Sequence, residues 1–253
     1  MYLKQELMKI KKSKSFLIIL LVTLSYSIIV YSEYLYSISR SESFFIFFYK
    51  SVSGFTGVPI VNIGAIVFTS LLFAKEFEDR TIIYIFMRPI KCGKLFLGKI
   101  LAIIIYSFAV TTILFLITLV LSISFFELKS LPGDISMANS FIRCLVCILY
   151  TFVGILISIG LSCLISVITR NQVGSIILSS ILFMFTSVAH FTIWNYTIPI
   201  STYYNTVNYF TVNFNTFIVK CRNFTILNLF VIFVLTGISY YLLMKLRTGL
   251  KNY

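Results

Sequence analysis

Gly93-x-x-x-x-Gly98-Lys99 has the spacing with which a glycine-rich loop cradles phosphates. The next residue should be a Ser or Thr that ligates Mg²⁺, and it is Ile100. No strand precedes the glycines, and the run leads straight into an apolar stretch, so ATP binding by this chain is rejected. Cys144-x-x-Cys147 has metal or redox spacing, but no second pair and no nearby His accompanies it. Small apolar residues on a helix are the simpler reading. The single histidine, His190, rules out a His-ligated zinc protease motif. A Ser-His-Asp arrangement would have to use the same residue, with no evident partner. No catalytic residue, bound metal or bound cofactor is expected on this chain.

The chemistry that remains is charge on one loop. The chain has only 8 Asp and Glu, yet Glu76, Glu78 and Asp79 fall together in Lys75-Glu76-Phe77-Glu78-Asp79-Arg80-Thr81. Gathering scarce carboxylates in this way makes a docking surface. Ile82, Ile83, Ile85 and Phe86 follow, too apolar for a solvated loop, and Arg88-Pro89 should end the helix they form. An exposed apolar patch flanked by charge is a partner site. The alternative is a helix that merely lies on a membrane surface.

The elements that must position this loop are apolar. The chain is 59% hydrophobic and 11% charged, with a mean hydropathy of +0.99. Soluble domains carry about 25% charged residues, so this is an integral membrane protein. Stretches of about 20 apolar residues match a hydrocarbon core roughly 30 Å thick. Six are read here, over 16–36, 55–74, 100–126, 145–168, 173–191 and 224–244. The short polar segments leave no second domain, so 1–253 is expected to be one all-α transmembrane domain.

Lys and Arg set the orientation. Lys4, Lys9, Lys11, Lys12 and Lys14, the basic residues of 75–99, Arg170, Lys245, Arg247 and Lys251 fall on one side. Only Arg40, Lys50, Lys129, Arg143, Lys220 and Arg222 fall on the other. Both termini are therefore expected in the cytoplasm, with the chain crossing the plasma membrane several times. The net charge of +13 reports topology and contact with anionic lipid. Scattered basic residues without a patch speak against nucleic acid. A cleaved signal peptide is a poor match, because the first apolar run is too long and lacks a small-residue cleavage site.

Residues 1–14 read as an interfacial helix, with Leu3, Leu7 and Ile10 on one face and lysines able to meet head groups. A positive flank that only fixes topology is the plainer alternative. The outer segment 194–223 is dense in Tyr, Asn and Thr and nearly free of charge. It is read as helices dipping back into the outer leaflet, or as an ordinary ordered loop. No ionisable residue falls in mid-span, which argues against an ion-coupled carrier. Thr56, Asn62 and Thr69 in the second span, with Ser175, Ser179 and Thr186 in the fifth, are the candidates for a translocation path. They serve equally well as close helix contacts.

The loop after the second span resembles that of the ABC-2 type transporter permeases. That family shows an acidic stretch ending in Gly-Thr, an amphipathic helix, a Pro-(Ile/Val)-Ser-Arg-like turn, and Gly-Lys leading into the third span. Glu76, Glu78, Thr81, Pro89-Ile90 and Gly98-Lys99 match. Arg80 stands in place of the usual Gly, and Lys91-Cys92 in place of Ser-Arg. Arg170-Asn171 matches the tight inner turn between spans four and five.

The resemblance implies a permease that pairs with a second permease subunit, as homo- or heterodimer, and docks two cytoplasmic ABC ATPase subunits that bind ATP and Mg²⁺. It makes Thr81–Met87 the coupling helix. Glu76, Glu78, Asp79, Thr81, Ile82, Ile85, Phe86, Arg88, Pro89, Arg170 and Asn171 become the coupling residues. Export of a hydrophobic or amphipathic substrate follows, with a peptide favoured over a lipid or drug. The alternative is a non-transport membrane sensor or immunity subunit acting against antimicrobial peptides. Abundant Phe, Tyr, Ile, Lys and Asn suit an AT-rich bacterial genome.

Overall fold

In a computed structural model, the described residues are 2–12, 57–87, 92–125, 136–188 and 214–251, with the isolated positions Ser25, Ser32 and Phe44. The expected first span, 16–36, lies outside them apart from Ser25 and Ser32. Every element among the described residues is helical. They are α1 (Tyr2–Lys12), α2 (Gly57–Leu72), α3 (Ala74–Glu78), α4 (Thr81–Met87), α5 (Cys92–Phe125), α6 (Met137–Thr169), α7 (Gln172–Val188) and α8 (Phe214–Lys251). Three contain stretches long and apolar enough to cross a membrane: Cys92–Ser124, Phe152–Thr169 and Asn228–Thr248.

The helices overrun the apolar stretches that announce them. A lipid core selects about 20 apolar residues, but helix hydrogen bonding continues into polar sequence until a cap or breaker stops it. α5 begins at Cys92 rather than near Ile100, and α6 begins at Met137, where the Ser136 side chain accepts from the Asn139 amide at 3.3 Å. Residues 214–223, read as part of the outer segment, are helical and run on without a break into the apolar stretch Asn228–Thr248. The rest of that segment, 194–213, lies outside the described residues.

Side-chain registers give the helix directions. The Ser158 hydroxyl donates to Asn62 Oδ1 at 2.6 Å and that of Ser162 to the Ile66 carbonyl at 3.3 Å, a constant offset of 96 residues. α2 and α6 therefore run the same way. Gly160 of α6 sits against Leu235 and Thr236 of α8, with Leu235 Cβ 3.4 Å from where a Cβ on the glycine would lie. That close approach is what a residue without a side chain permits. α5 runs opposite to α2: Lys99 reaches Leu72, and Tyr106 packs on Phe68 with ring centroids 5.8 Å apart. α7 reverses again after the turn at Arg170-Asn171.

The core gathers where these helices converge near the α2–α3 break. Phe68 and Leu72 of α2, Phe73 at the break, Phe96 and Ile103 of α5, and Ile159 of α6 are buried together. α1 joins through Ile10, which is wholly buried, and through Leu7, so its apolar face is turned to protein. In the outward direction, Leu101, Phe108 and Leu116 of α5 and Phe230 and Phe233 of α8 are exposed. An apolar exterior of this kind suits lipid as the surrounding solvent.

Candidate functional site

The acidic loop is built on a break and one left-handed residue. α2 ends at Leu72, Phe73 turns, and α3 runs only to Glu78. Arg80 then takes φ 56°, the left-handed region that favours glycine. α4 starts at the next residue, and the Thr81 hydroxyl donates back to the Glu76 carbonyl at 3.3 Å. The turn between α6 and α7 uses the same device. Arg170 ends α6 at φ 54°, and Asn171 caps α7 by accepting from the Gly174 amide at 2.9 Å.

The two turns meet. Glu78 Oε2 accepts the Gln172 backbone amide at 2.8 Å. A carboxylate is thereby placed on an unsatisfied donor at the positive end of α7. The contact brings Glu78 beside Arg170 and Asn171, all on an exposed face. Asp79 and Arg80 are exposed as well.

Glu76 behaves differently from its two acidic neighbours, because it is turned inward and is only 7% exposed. Its Oε2 pairs with Lys99 Nζ at 2.7 Å, and its Oε1 accepts from Lys9 Nζ at 2.7 Å. Lys9 also donates to Glu6 Oε1 at 3.1 Å, and Lys99 lies 3.8 Å from Glu6 Oε2. Lys99 is completely buried. It donates to the Leu72 carbonyl at 2.5 Å and stands 5.4 Å from the centre of the Phe73 ring. Two carboxylates and two ammonium groups balance, which is what lets the charges be buried at all.

Burial pushes the Glu76 carboxyl up, but Lys99 and then Lys9 outweigh it and hold it below its ordinary 4.5. Burial pulls Lys9 down, and Glu76 and then Glu6 overcome that and hold its ammonium above 10.5. Both groups are ionised at neutral pH.

On α4, Ile82 is buried in the core and Ile83 packs against it, while Tyr84 is 69% exposed. Arg88, Pro89 and Thr56 lie outside the described residues, as do the side chains of Ile85, Phe86 and Thr186. The remaining path candidates sit in contacts within this chain. Asn62 is bonded to Ser158, as given above, and the Thr69 hydroxyl bonds back to the Ala65 carbonyl at 2.7 Å. Ser175 lies 3.0 Å from the Ser70 hydroxyl and 2.6 Å from that of Ser166. Ser179 is buried and has no hydrogen-bond partner among the described residues.

Sequence reasoning missed Glu6, Lys9 and Lys99 as members of a site, and missed Tyr84. Lys9 read as a basic residue meeting lipid head groups, and Lys99 as part of the Gly98-Lys99 motif leading into a span. A cluster of four residues drawn from three separate helices leaves no local spacing to detect. The one available signal was Lys99 itself, a charge in the first turns of a long apolar run.

A bundle of apolar helices, three of them long and apolar enough to cross a bilayer, carries a charged loop at one end. The chain belongs to the ABC-2 family of transporter membrane proteins, whose family model, described as ABC-2 family transporter protein, matches residues 2–186. The match takes in α1 to α6 and nearly all of α7. No curated protein and no solved structure matches the chain. Membership makes this a membrane-embedded permease subunit of an ABC transporter, a class that works with an ABC ATPase.

Proposed function

We propose that this chain is the permease of an ATP-driven exporter and that the loop between α2 and α5 is where the ATPase docks. The observation that carries the proposal is the Glu78–Gln172 contact, which joins the α3–α4 loop to the α6–α7 turn in a single surface. Glu78, Asp79, Arg170 and Asn171 form its polar part. Tyr84, exposed on α4, supplies its apolar part. Ile82 and Glu76 support this surface from beneath, since both are buried.

In this reading the chain is a single six-span domain of a bacterial plasma membrane with both termini in the cytoplasm. Residues 75–99 lie on the cytoplasmic side, and 194–223 lies toward the outer side. Two permeases, identical or different, assemble with two ATPase subunits, which bind ATP and Mg²⁺. Closure of the ATPases displaces the loops and rocks the spans between inward and outward openings. The Asn62, Thr69, Ser175 and Ser179 region, apolar with hydroxyls and amides, suits an amphipathic peptide better than a sugar or metal ion.

The test is co-purification of the chain with a stand-alone ABC ATPase from the same organism, together with ATP hydrolysis and peptide export by the same preparation. Wild type should retain the ATPase. Phe86→Ala should release it or uncouple hydrolysis from export, and Glu78→Lys should weaken the complex in a salt-dependent way. Wild-type binding and export by the double variant would overturn the docking assignment.

A further inference from the structure

The buried charges are not needed to make the docking surface, because Glu76 and Lys99 face away from it. Nor does stability alone account for them. A well-packed apolar set of similar volume often does as well as a buried ion pair, whereas a half-removed pair is strongly destabilising. What the four residues do is geometric. Glu6 and Lys9 belong to α1, Glu76 to α3 and Lys99 to α5. Lys99 is also bonded to Leu72, the last residue of α2, directly beside the break at Phe73. A second tie lies one level further along, where the Tyr106 hydroxyl of α5 donates to the Leu7 carbonyl of α1 at 3.0 Å. A short α3 following a break would otherwise bend freely. Here its one buried carboxylate is held from both sides, by α1 and by α5.

We propose that Glu6, Lys9, Glu76 and Lys99 form a mechanical clamp that makes α1, α3 and the first turns of α5 move as one body. A displacement of the α3–α4 loop is then delivered to the long apolar helices instead of being absorbed by bending at Phe73. The proposal rests on the docking reading above, because it presumes that an ATPase moves the loop. Lys99 and Lys9 are positioning residues in this scheme. They touch neither the ATPase nor the transported substrate.

The experiment uses the full permease–ATPase complex in lipid nanodiscs, with spin labels at Met8 on α1 and Lys75 on α3, both exposed. Pulsed electron resonance reads the label-to-label distance without nucleotide and with ATP plus vanadate. Wild type should give one narrow distribution, unchanged between the two states. Lys9→Ala should at least double its width and make it depend on nucleotide, and Lys9→Arg should restore it. Lys9 is the safe site to change, because its side chain is 46% exposed and its loss leaves the Lys99–Glu76 pair in place. A wild-type distance that shifts with nucleotide, or a Lys9→Ala distribution as narrow as wild type, would overturn the clamp and leave docking intact. Failure of any ATPase to co-purify with wild type would overturn both.

Discussion

Replacing Lys99 by Met removes the centre of the buried cluster while keeping its length and apolar stem. Four contacts are lost: the 2.7 Å pair with Glu76, the 3.8 Å approach to Glu6, the bond to the Leu72 carbonyl and the approach to the Phe73 ring. Glu76 and Glu6 are left with Lys9 alone. Lys9 is partly exposed, so its solvent-screened interaction is worth at most about 1 kcal/mol. Both side chains of the lost pair are buried, at 1% and 10% exposure, so the relevant scale is that for breaking a buried pair, about 3–5 kcal/mol. For a chain of this size that lowers the unfolding midpoint by roughly 10 °C. The assay is thermal unfolding in nanodiscs, followed by intrinsic tyrosine and tryptophan fluorescence. The double variant Lys99→Met, Glu76→Met restores charge balance and should recover at least half of the loss. A single variant with a wild-type midpoint, or a double variant less stable than the single one, would refute the reasoning.

Other outcomes follow from the same geometry. Asn62→Leu removes the acceptor of the Ser158 hydroxyl, a contact worth about 0.6–1.7 kcal/mol between membrane helices. It should leave assembly intact while changing transport, and unchanged transport would make Asn62 a packing residue only. Arg80→Gly relieves a left-handed backbone and should raise stability by up to about 1 kcal/mol; a lower unfolding midpoint would show that the arginine side chain matters more than its backbone. Cysteine probes should label from outside the cell at Asn213 and remain protected at Lys91, and the reverse pattern would invert the topology.

The long apolar runs made α2, α5, α6, α7 and α8 legible, because lipid imposes a length and a composition that survive in any sequence window. Their ends were not legible in the same way. Hydropathy reports where lipid stops, whereas Ser136 and Arg170 report where helices stop, and the two differ by several residues at Cys92, Met137 and Phe214. The Thr81–Met87 helix could be read from Ile82, Ile83, Ile85 and Phe86 ahead of a proline. Which side of it faces out could not. The unbroken apolar and aromatic run from Ile82 to Met87 carries no period, and only the packed core shows Ile82 buried and Tyr84 exposed. Arg80, the departure from the family's usual glycine, keeps the left-handed conformation that explains the glycine. The three adjacent carboxylates looked equivalent in sequence. Their partners separate them: Glu76 serves the interior and Glu78 the adjoining turn, and the residues responsible, Lys9, Lys99 and Gln172, lie far away along the chain.

The most direct measurement of the central claim is site-specific photo-crosslinking at Tyr84 in intact cells, with Phe233 of α8 as the control. Both positions are exposed, at 69% and 77%, on opposite parts of the molecule's chemistry: one on the charged loop, the other on an apolar helix. The probe at Tyr84 should yield a single adduct that mass spectrometry identifies as an ABC ATPase, and the probe at Phe233 should yield no ATPase adduct. Absence of an ATPase adduct at Tyr84, or equal capture at both positions, would contradict the docking of an ATPase on this loop.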